Sequence, residues 1–215
     1  MDRDAAKVKP NRSYDATRRQ EQARRNHTRI TEVAERRFLR DGYAPTTVTV
    51  IAADAGVSPD TIYKAFGGKP GLVRAIREHA LGGERPVPAE QRSDALQAHE
   101  PDPRKIISGW GALSAEIAPR VSPILLLVRD VASTDPELQA LLHELDGDRL
   151  RRMTDNARRL SDAGHLRPGI TLAQAAEVLW TYSSPELYEL LVLRRGWTAK
   201  QYGRFIADAM IHALL

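Results

Sequence analysis

Between Val48 and Phe66 the apolar positions keep a helical rhythm and break once. Val48, Ile51, Ala52 and Ala55 stand at i, i+3, i+4 and i+7, which predicts a short helix with one buried face. Gly56 can take the positive φ that a tight turn needs, and Val57 fills that turn. Ser58-Pro59 reads as an N-cap and a first-turn proline, and Ile62 and Ala65 are assigned to the inner face of the second helix. Ala52 is small where two helices would cross closely. Together these positions predict a helix-turn-helix whose second helix can enter a DNA major groove.

The same rhythm runs through the rest of the chain. Ile30, Val33, Ala34 and Phe38 form one stripe of a helix predicted from about Ala16 to Asp41, and another helix is predicted from Lys69 to Leu81. Residues 82–102, with Gly82-Gly83 and Pro86, Pro88 and Pro101, mark a junction holding one short helix near Glu90–His99. Beyond it, Asp102-Pro103, Ser122-Pro123, Asp135-Pro136 and Ser184-Pro185 each place a capping side chain before a proline. Thr171 with Gln174 and Thr198 with Gln201 form capping boxes, and Gly164 and Gly196 end helices. A second domain over 103–215 is therefore expected to have helices at 103–118, 123–133, 136–163, 171–182, 185–195 and 198–214. The long third one contains Gly147, which could mark a bend. No segment alternates with a period of two, so the fold class is all-α: an N-terminal three-helix domain over 16–81, then a C-terminal antiparallel helical domain.

Motifs flanking the helix-turn-helix sharpen this. Gly42-Tyr43, Thr47-Val48, Ile51-Ala52, Ala55-Gly56-Val57-Ser58, Thr61-Ile62-Tyr63, Phe66 and Lys69 resemble the signature of the TetR family of bacterial transcription regulators, from about Ile30 to Leu81. The last third, with Ser183-Ser184-Pro185 and Arg194-Arg195-Gly196-Trp197, looks like an actinobacterial-type branch. Asp60, Lys64-Ala65 and Val50 depart from the commoner family residues. Val50 leaves Thr47 without a capping-box acid and its hydroxyl freer to meet a phosphate.

The resemblance implies a ligand-responsive regulator, most simply a repressor, that binds palindromic double-stranded operator DNA as a homodimer and is released by a small-molecule effector. The residues assigned to DNA are Thr46, Thr47, Ser58, Pro59, Asp60, Thr61, Tyr63, Lys64 and Lys69. Of these, Thr47, Tyr63 and Lys69 are expected on phosphates, and Asp60, Thr61 and Lys64 on base edges. A mostly apolar effector pocket above ~300 Å³ is expected among Trp110, Leu113, Ile117, Leu127, Val128, Val131, Met153, Leu179 and Tyr182. The dimer contact is assigned to Leu187, Leu191, Tyr202, Phe205, Ala209 and Met210. The competing reading is an all-α enzyme or binding protein that keeps the helix-turn-helix as scaffold. Salt-dependent duplex binding separates the two.

Composition narrows the chemistry. The chain has 215 residues and no cysteine, so disulfides and thiolate metal sites are excluded and a cytoplasmic setting is expected. Its longest apolar run, Ile124 to Val128, is too short to span a membrane. Net charge is +4, but residues 1–40 hold 12 basic against 6 acidic side chains and the remainder 20 against 22. The excess lies beside the helix-turn-helix, in a basic arm over 1–15 expected to be disordered and in Arg18, Arg19, Arg24, Arg25 and Arg29, where DNA would draw on it. The six histidines are scattered, with no metal-binding pair. Gly67-Gly68-Lys69 is not a phosphate loop, because Tyr63 and Pro70 occupy two of its required positions. Neither a nucleophile elbow nor any cofactor motif occurs, so no enzyme activity, cofactor or metal is expected.

Overall fold

The computed structural model describes residues 12–82 and 87–215 and contains only helices and their connections there. In chain order these are α1 (Arg12–Asp41), α2 (Val48–Ala55), α3 (Pro59–Phe66), α4 (Lys69–Gly82), α5 (Ala89–His99), α6 (Pro103–Ala132), α7 (Pro136–Asp162), α8 (Leu172–Tyr182), α9 (Pro185–Tyr188) and α10 (Ala199–Leu214). α9 continues as wider π-helical turns over Glu189–Arg194. Residues 12–15, assigned to the arm, are the first turn of α1, because no glycine or proline separates them from the helix. The remainder of the arm, residues 1–11, lies outside the described residues.

Local chemistry sets most boundaries. Thr47 caps α2, Ser58 caps α3, Asp102 caps α6 and Asp135 caps α7, each accepting from the first backbone N–H groups of its helix. Both capping boxes form at α8 and α10. Ser184 makes no side-chain cap. Gly56 takes φ 62° between α2 and α3, a conformation that other residues reach only with strain.

The expected break at Ser122-Pro123 is absent. α6 runs unbroken through Pro119 and Pro123, and Ser122 is buried within it. Each proline removes one intrahelical hydrogen bond. Packing along both halves of the helix offsets that loss. The C-terminal half supplies Ile124, Val128 and Ala132 to a core that also holds Ile30, Phe38, Ile51, Ile62, Leu72 and Ile76. The first half of α7 joins the same core through Leu138, Leu141 and Leu145. The N-terminal half of α6 contributes Ile106, Ile107 and Trp110 to a second core with Leu160, Leu179, Tyr202 and Ile206. α6 is also long and apolar enough to cross a membrane by length and composition alone; here its apolar positions are shared between the two cores.

In the second core, α6 and α10 cross with their backbones touching. A Cβ on Gly111 would overlap the Gly203 carbonyl oxygen and lie 2.7 Å from Ala207 Cβ. A Cβ on Gly203 would overlap the Gly111 carbonyl oxygen. The stripe of α10 that carries Tyr202, Ile206 and Met210 is therefore spent inside the protomer.

Candidate nucleic-acid interface and effector cavity

The helix-turn-helix is clamped to α1 by charge. Arg37 Nε lies 2.5 Å from Asp54 on α2, and Arg37 Nη1 lies 3.1 Å from Asp41. Its guanidinium holds the Asp54 carboxyl below the usual range, and Arg40 followed by Arg37 does the same for Asp41. His27 stacks on Phe66 with centroids 4.5 Å apart, tying α3 to α1. Phe66 at i+4, not Ala65 at i+3, accompanies Ile62 on the inner face; Ala65 is exposed.

The outer face of α3 presents Asp60, Tyr63 and Lys64, all exposed. Asp60 and Lys64 pair at 2.6 Å across one helical turn. An exposed pair of this kind stabilises by less than about 1 kcal/mol, so both side chains can exchange it for base edges. Thr61 is half-buried, and its hydroxyl shares a 2.9 Å hydrogen bond with Ser58 Oγ, which also accepts from Thr61 N. Pro59 is exposed at the first turn. The Thr47 hydroxyl oxygen accepts from Val50 N at 3.2 Å, which leaves its own O–H available to a phosphate.

Two residues assigned to DNA are committed elsewhere. Thr46 is 2 % exposed, and its hydroxyl donates to the Gly42 carbonyl at 2.7 Å. It stitches the α1–α2 loop, where a buried hydroxyl needs a partner. Lys69 Nζ donates to the Tyr43 carbonyl at 2.5 Å and lies 4.0 Å from the centre of the Tyr43 ring. Burial lowers its pKa. The ammonium latches the start of α4 to the α1–α2 loop, and a phosphate would have to compete with that loop for it.

At its other end α4 meets a cavity of about 180 Å³. Trp110, Leu113, Ile117, Met153 and Leu179 line it as expected from sequence. Leu127, Val128 and Val131 do not, because the continuous α6 carries them into the core shared with α1–α4. Tyr182 packs against the second core outside the cavity wall. The volume falls below the ~300 Å³ expected for a drug-sized site.

Several wall residues escaped the sequence reading: Arg77 and Leu81 of α4, Ala89 and Ser93 of α5, Arg149, Arg152 and Asn156 of α7, and Tyr202 and Met210 of α10. One signal was available. Arg149 and Asn156 lie on the stripe that runs from Leu138 through Leu145 to Leu160, and polar groups on a buried stripe point to a ligand or a network. Arg149 Nη1 donates to the Trp180 carbonyl and, at 3.2 Å, to Ser183 Oγ; Nη2 pairs with Asp146 at 3.2 Å. Burial works against its charge, and burial likewise pushes the Tyr202 hydroxyl up to about 12.

Tyr202 and Met210 are 1 % and 3 % exposed, so neither can belong to a dimer contact. The close α6–α10 crossing turns them inward. Leu187, Leu191 and Ala209 remain partly accessible, and Phe205 is 39 % exposed, set edge-on against Trp197 at 5.6 Å. Leu190 and Leu193, on the π-helical turns, are exposed beside them.

Residues 30–76 match the model of the bacterial regulatory proteins of the TetR family. They form a TetR-family DNA-binding domain. Proteins of this family are ligand-responsive DNA-binding transcriptional regulators, often repressors. Among solved structures, SmeT in complex with triclosan aligns over 88% of this chain and 91% of its own at 22% identity and a TM-score of 0.67. NalD of Pseudomonas aeruginosa, the secondary repressor of the MexAB-OprM multidrug efflux pump, aligns over 90% and 98% at 19% identity and a TM-score of 0.68. The fatty acid degradation regulator FadR of Bacillus halodurans aligns over 86% and 94% at 14% identity and a TM-score of 0.69. At these identities the likeness is one of fold, and it extends the TetR architecture from the matched domain to the helices behind it. No curated protein sequence matches the chain.

Proposed function

We propose that the chain is a ligand-responsive repressor in the cytoplasm that binds a palindromic operator as a homodimer and leaves it when an effector fills the cavity. The observation that carries this reading is the double attachment of α4. Its first residue, Lys69, is bonded to the α1–α2 loop that leads into the helix-turn-helix, while Arg77 and Leu81 near its end line the cavity. Along the same helix, Arg74 pairs with Glu144 at 2.6 Å and Arg77 with Asp148 at 3.5 Å, both on α7. A ligand that prefers one position of this helix shifts the orientation of the recognition helices by its difference in affinity for the two positions. Triclosan bound to SmeT is a precedent for a compact aromatic molecule in this fold.

The dimer contact is proposed at Leu187, Leu190, Leu191, Leu193, Trp197 and Phe205. It is expected to bury above ~1,200 Å² and to set the recognition helices about 34–36 Å apart. Selection of bound duplexes from a random pool tests the whole reading. A two-fold symmetric winner whose affinity falls steeply with salt is expected. Binding that ignores sequence and salt would refute it and favour a scaffold role for the helix-turn-helix.

A further inference from the structure

Three residues of the cavity wall each carry a buried atom without a hydrogen-bond partner: Ser93 Oγ, Trp110 Nε1 and Arg149 Nε. Ser93 and Trp110 are 5 % and 6 % exposed. An indole N–H and a guanidinium N–H can only donate, and a serine hydroxyl can donate as readily as accept. Three further polar groups of the wall have partners within the protein. Arg152 pairs with Asp94 at 2.9 Å, Ser114 donates to the Trp110 carbonyl at 2.9 Å, and Asn156 accepts from Gln97 at 3.1 Å. The three buried atoms left without a partner can all donate. A ligand that displaces water from such a site must bring acceptors, or those donors are left unmade at a cost.

Charge and size narrow the ligand further. Arg149 is the most enclosed cation of the wall, with its side chain 13% exposed, while its partner Asp146 is 45% exposed and lies outside the wall. Glu90, the carboxylate of the wall, is exposed. A desolvated guanidinium whose counter-charge sits nearer to water favours an anion on its inner side. Much of the remaining surface is apolar, with Leu113, Ile117, Val121, Leu125, Met153 and Leu179. A volume of about 180 Å³ is close to that of the engineered cavity of about 150 Å³ that holds one benzene molecule.

We infer that the cavity selects a compact organic acid: an apolar body about the size of one aromatic ring, carrying a carboxylate that accepts from Arg149, Trp110 and Ser93. Two carboxylate oxygens offer about four acceptor sites, enough for three donors. The inference rests on the reading of this cavity as the effector site, and it excludes long acyl chains and cations as the preferred class.

Calorimetric titration of the full-length protein with phenylacetate, phenylacetamide and palmitate tests it. Phenylacetate is expected to bind one molecule per chain, at least about tenfold tighter than its amide and tighter than palmitate. Trp110→Phe keeps a ring and removes the N–H, and Ser93→Ala removes the hydroxyl. Each should weaken phenylacetate several-fold and reduce its advantage over the amide. Arg149→Lys keeps the charge without Nε and should weaken the acid too; because Arg149 also holds Trp180 and Asp146, the other two variants keep the test decisive if this one fails to fold. Equal affinity for acid and amide, indifference of the acid to both Trp110→Phe and Ser93→Ala, a preference for palmitate, or no binding of either ring compound would each overturn the inference. Release of a selected duplex is read separately. Phenylacetate binding without release upholds the ligand class and refutes the effector role, whereas release only by a non-acidic compound does the reverse.

Discussion

Alanine at Gly111 should destabilise the protein, and the crossing of α6 and α10 gives the size of the effect. In an open helix the exchange of glycine for alanine stabilises by about 1 kcal/mol, because the backbone loses less freedom on folding. At Gly111 the new methyl would enter the space of the Gly203 carbonyl oxygen and stand 2.7 Å from Ala207 Cβ. Overpacking costs about 1–3 kcal/mol, and here the obstacle includes backbone, which cannot rotate away as a side chain can. Taking the upper end, the net change is a loss of about 2 kcal/mol. For a chain of this size each kcal/mol moves the melting temperature by about 2–4 °C, so a drop of about 4–8 °C is expected. Gly147, inside α7, is the control. A Cβ there meets only the flexible end of Arg151 at 3.5 Å, so Gly147→Ala should raise the melting temperature by about 2–4 °C. Far-UV circular dichroism melts at one fixed protein concentration compare the two without interference from association. If Gly111→Ala melted at or above Gly147→Ala, the two helices would not touch backbone to backbone, and the inward assignment of Tyr202 and Met210 would fall with that contact.

Other outcomes follow from the interface and the dimer surface. Lys64→Ala should relax preference at one base pair by about 1–3 kcal/mol in a duplex panel, while Lys69→Met should first lower the melting temperature, since the Tyr43 carbonyl loses its donor. An unchanged melt with uniformly weaker duplex binding would return Lys69 to the phosphates. Asp54 has a lowered folded pKa caused by Arg37, so its contribution is fully present above the ordinary carboxylate value near about 4 and disappears as pH falls through the folded value. The stability gap between wild type and Asp54→Asn should therefore be widest at neutral pH and close in acid; a gap that widened below about pH 4 would contradict the sign. Phe205→Glu combined with Leu193→Glu should give monomers in sedimentation velocity and abolish preference for a palindrome over a single half-site, and an intact dimer would move the contact elsewhere.

Where local chemistry decides, the sequence was readable. Thr47, Ser58-Pro59, Asp135-Pro136 and the two capping boxes begin helices because the bonds they make lie within a few residues. Ser122-Pro123 carries the same local signal, yet α6 continues through it, because the reward for continuing comes from Ile30, Leu72 and Leu138, far away in the chain. Thr46 and Thr47 are chemically alike and adjacent; one is buried on Gly42 and the other faces out, a difference set by the loop path. Tyr202 and Phe205 sit on one apolar stripe, and only Gly111 and Gly203, read together, show which side is covered. α5 has little apolar periodicity, so its place in the cavity wall could not be inferred.

The sharing of one core by the helix-turn-helix, the C-terminal half of α6 and the start of α7 bears on how such a protein can be taken apart. A fragment ending at residue 82 would keep Ile30, Leu72 and Ile76 but lose Ile124, Val128 and Leu138 from the core they share. Hybrid regulators spliced at the junction, with the reader of one protein on the sensor of another, would inherit two half-surfaces never fitted to each other. A workable graft would carry residues 124–145 along with the reader, or repack them against it. The practical seam of this molecule therefore lies within α6, near Pro119 and Pro123, where the helix passes from one core to the other.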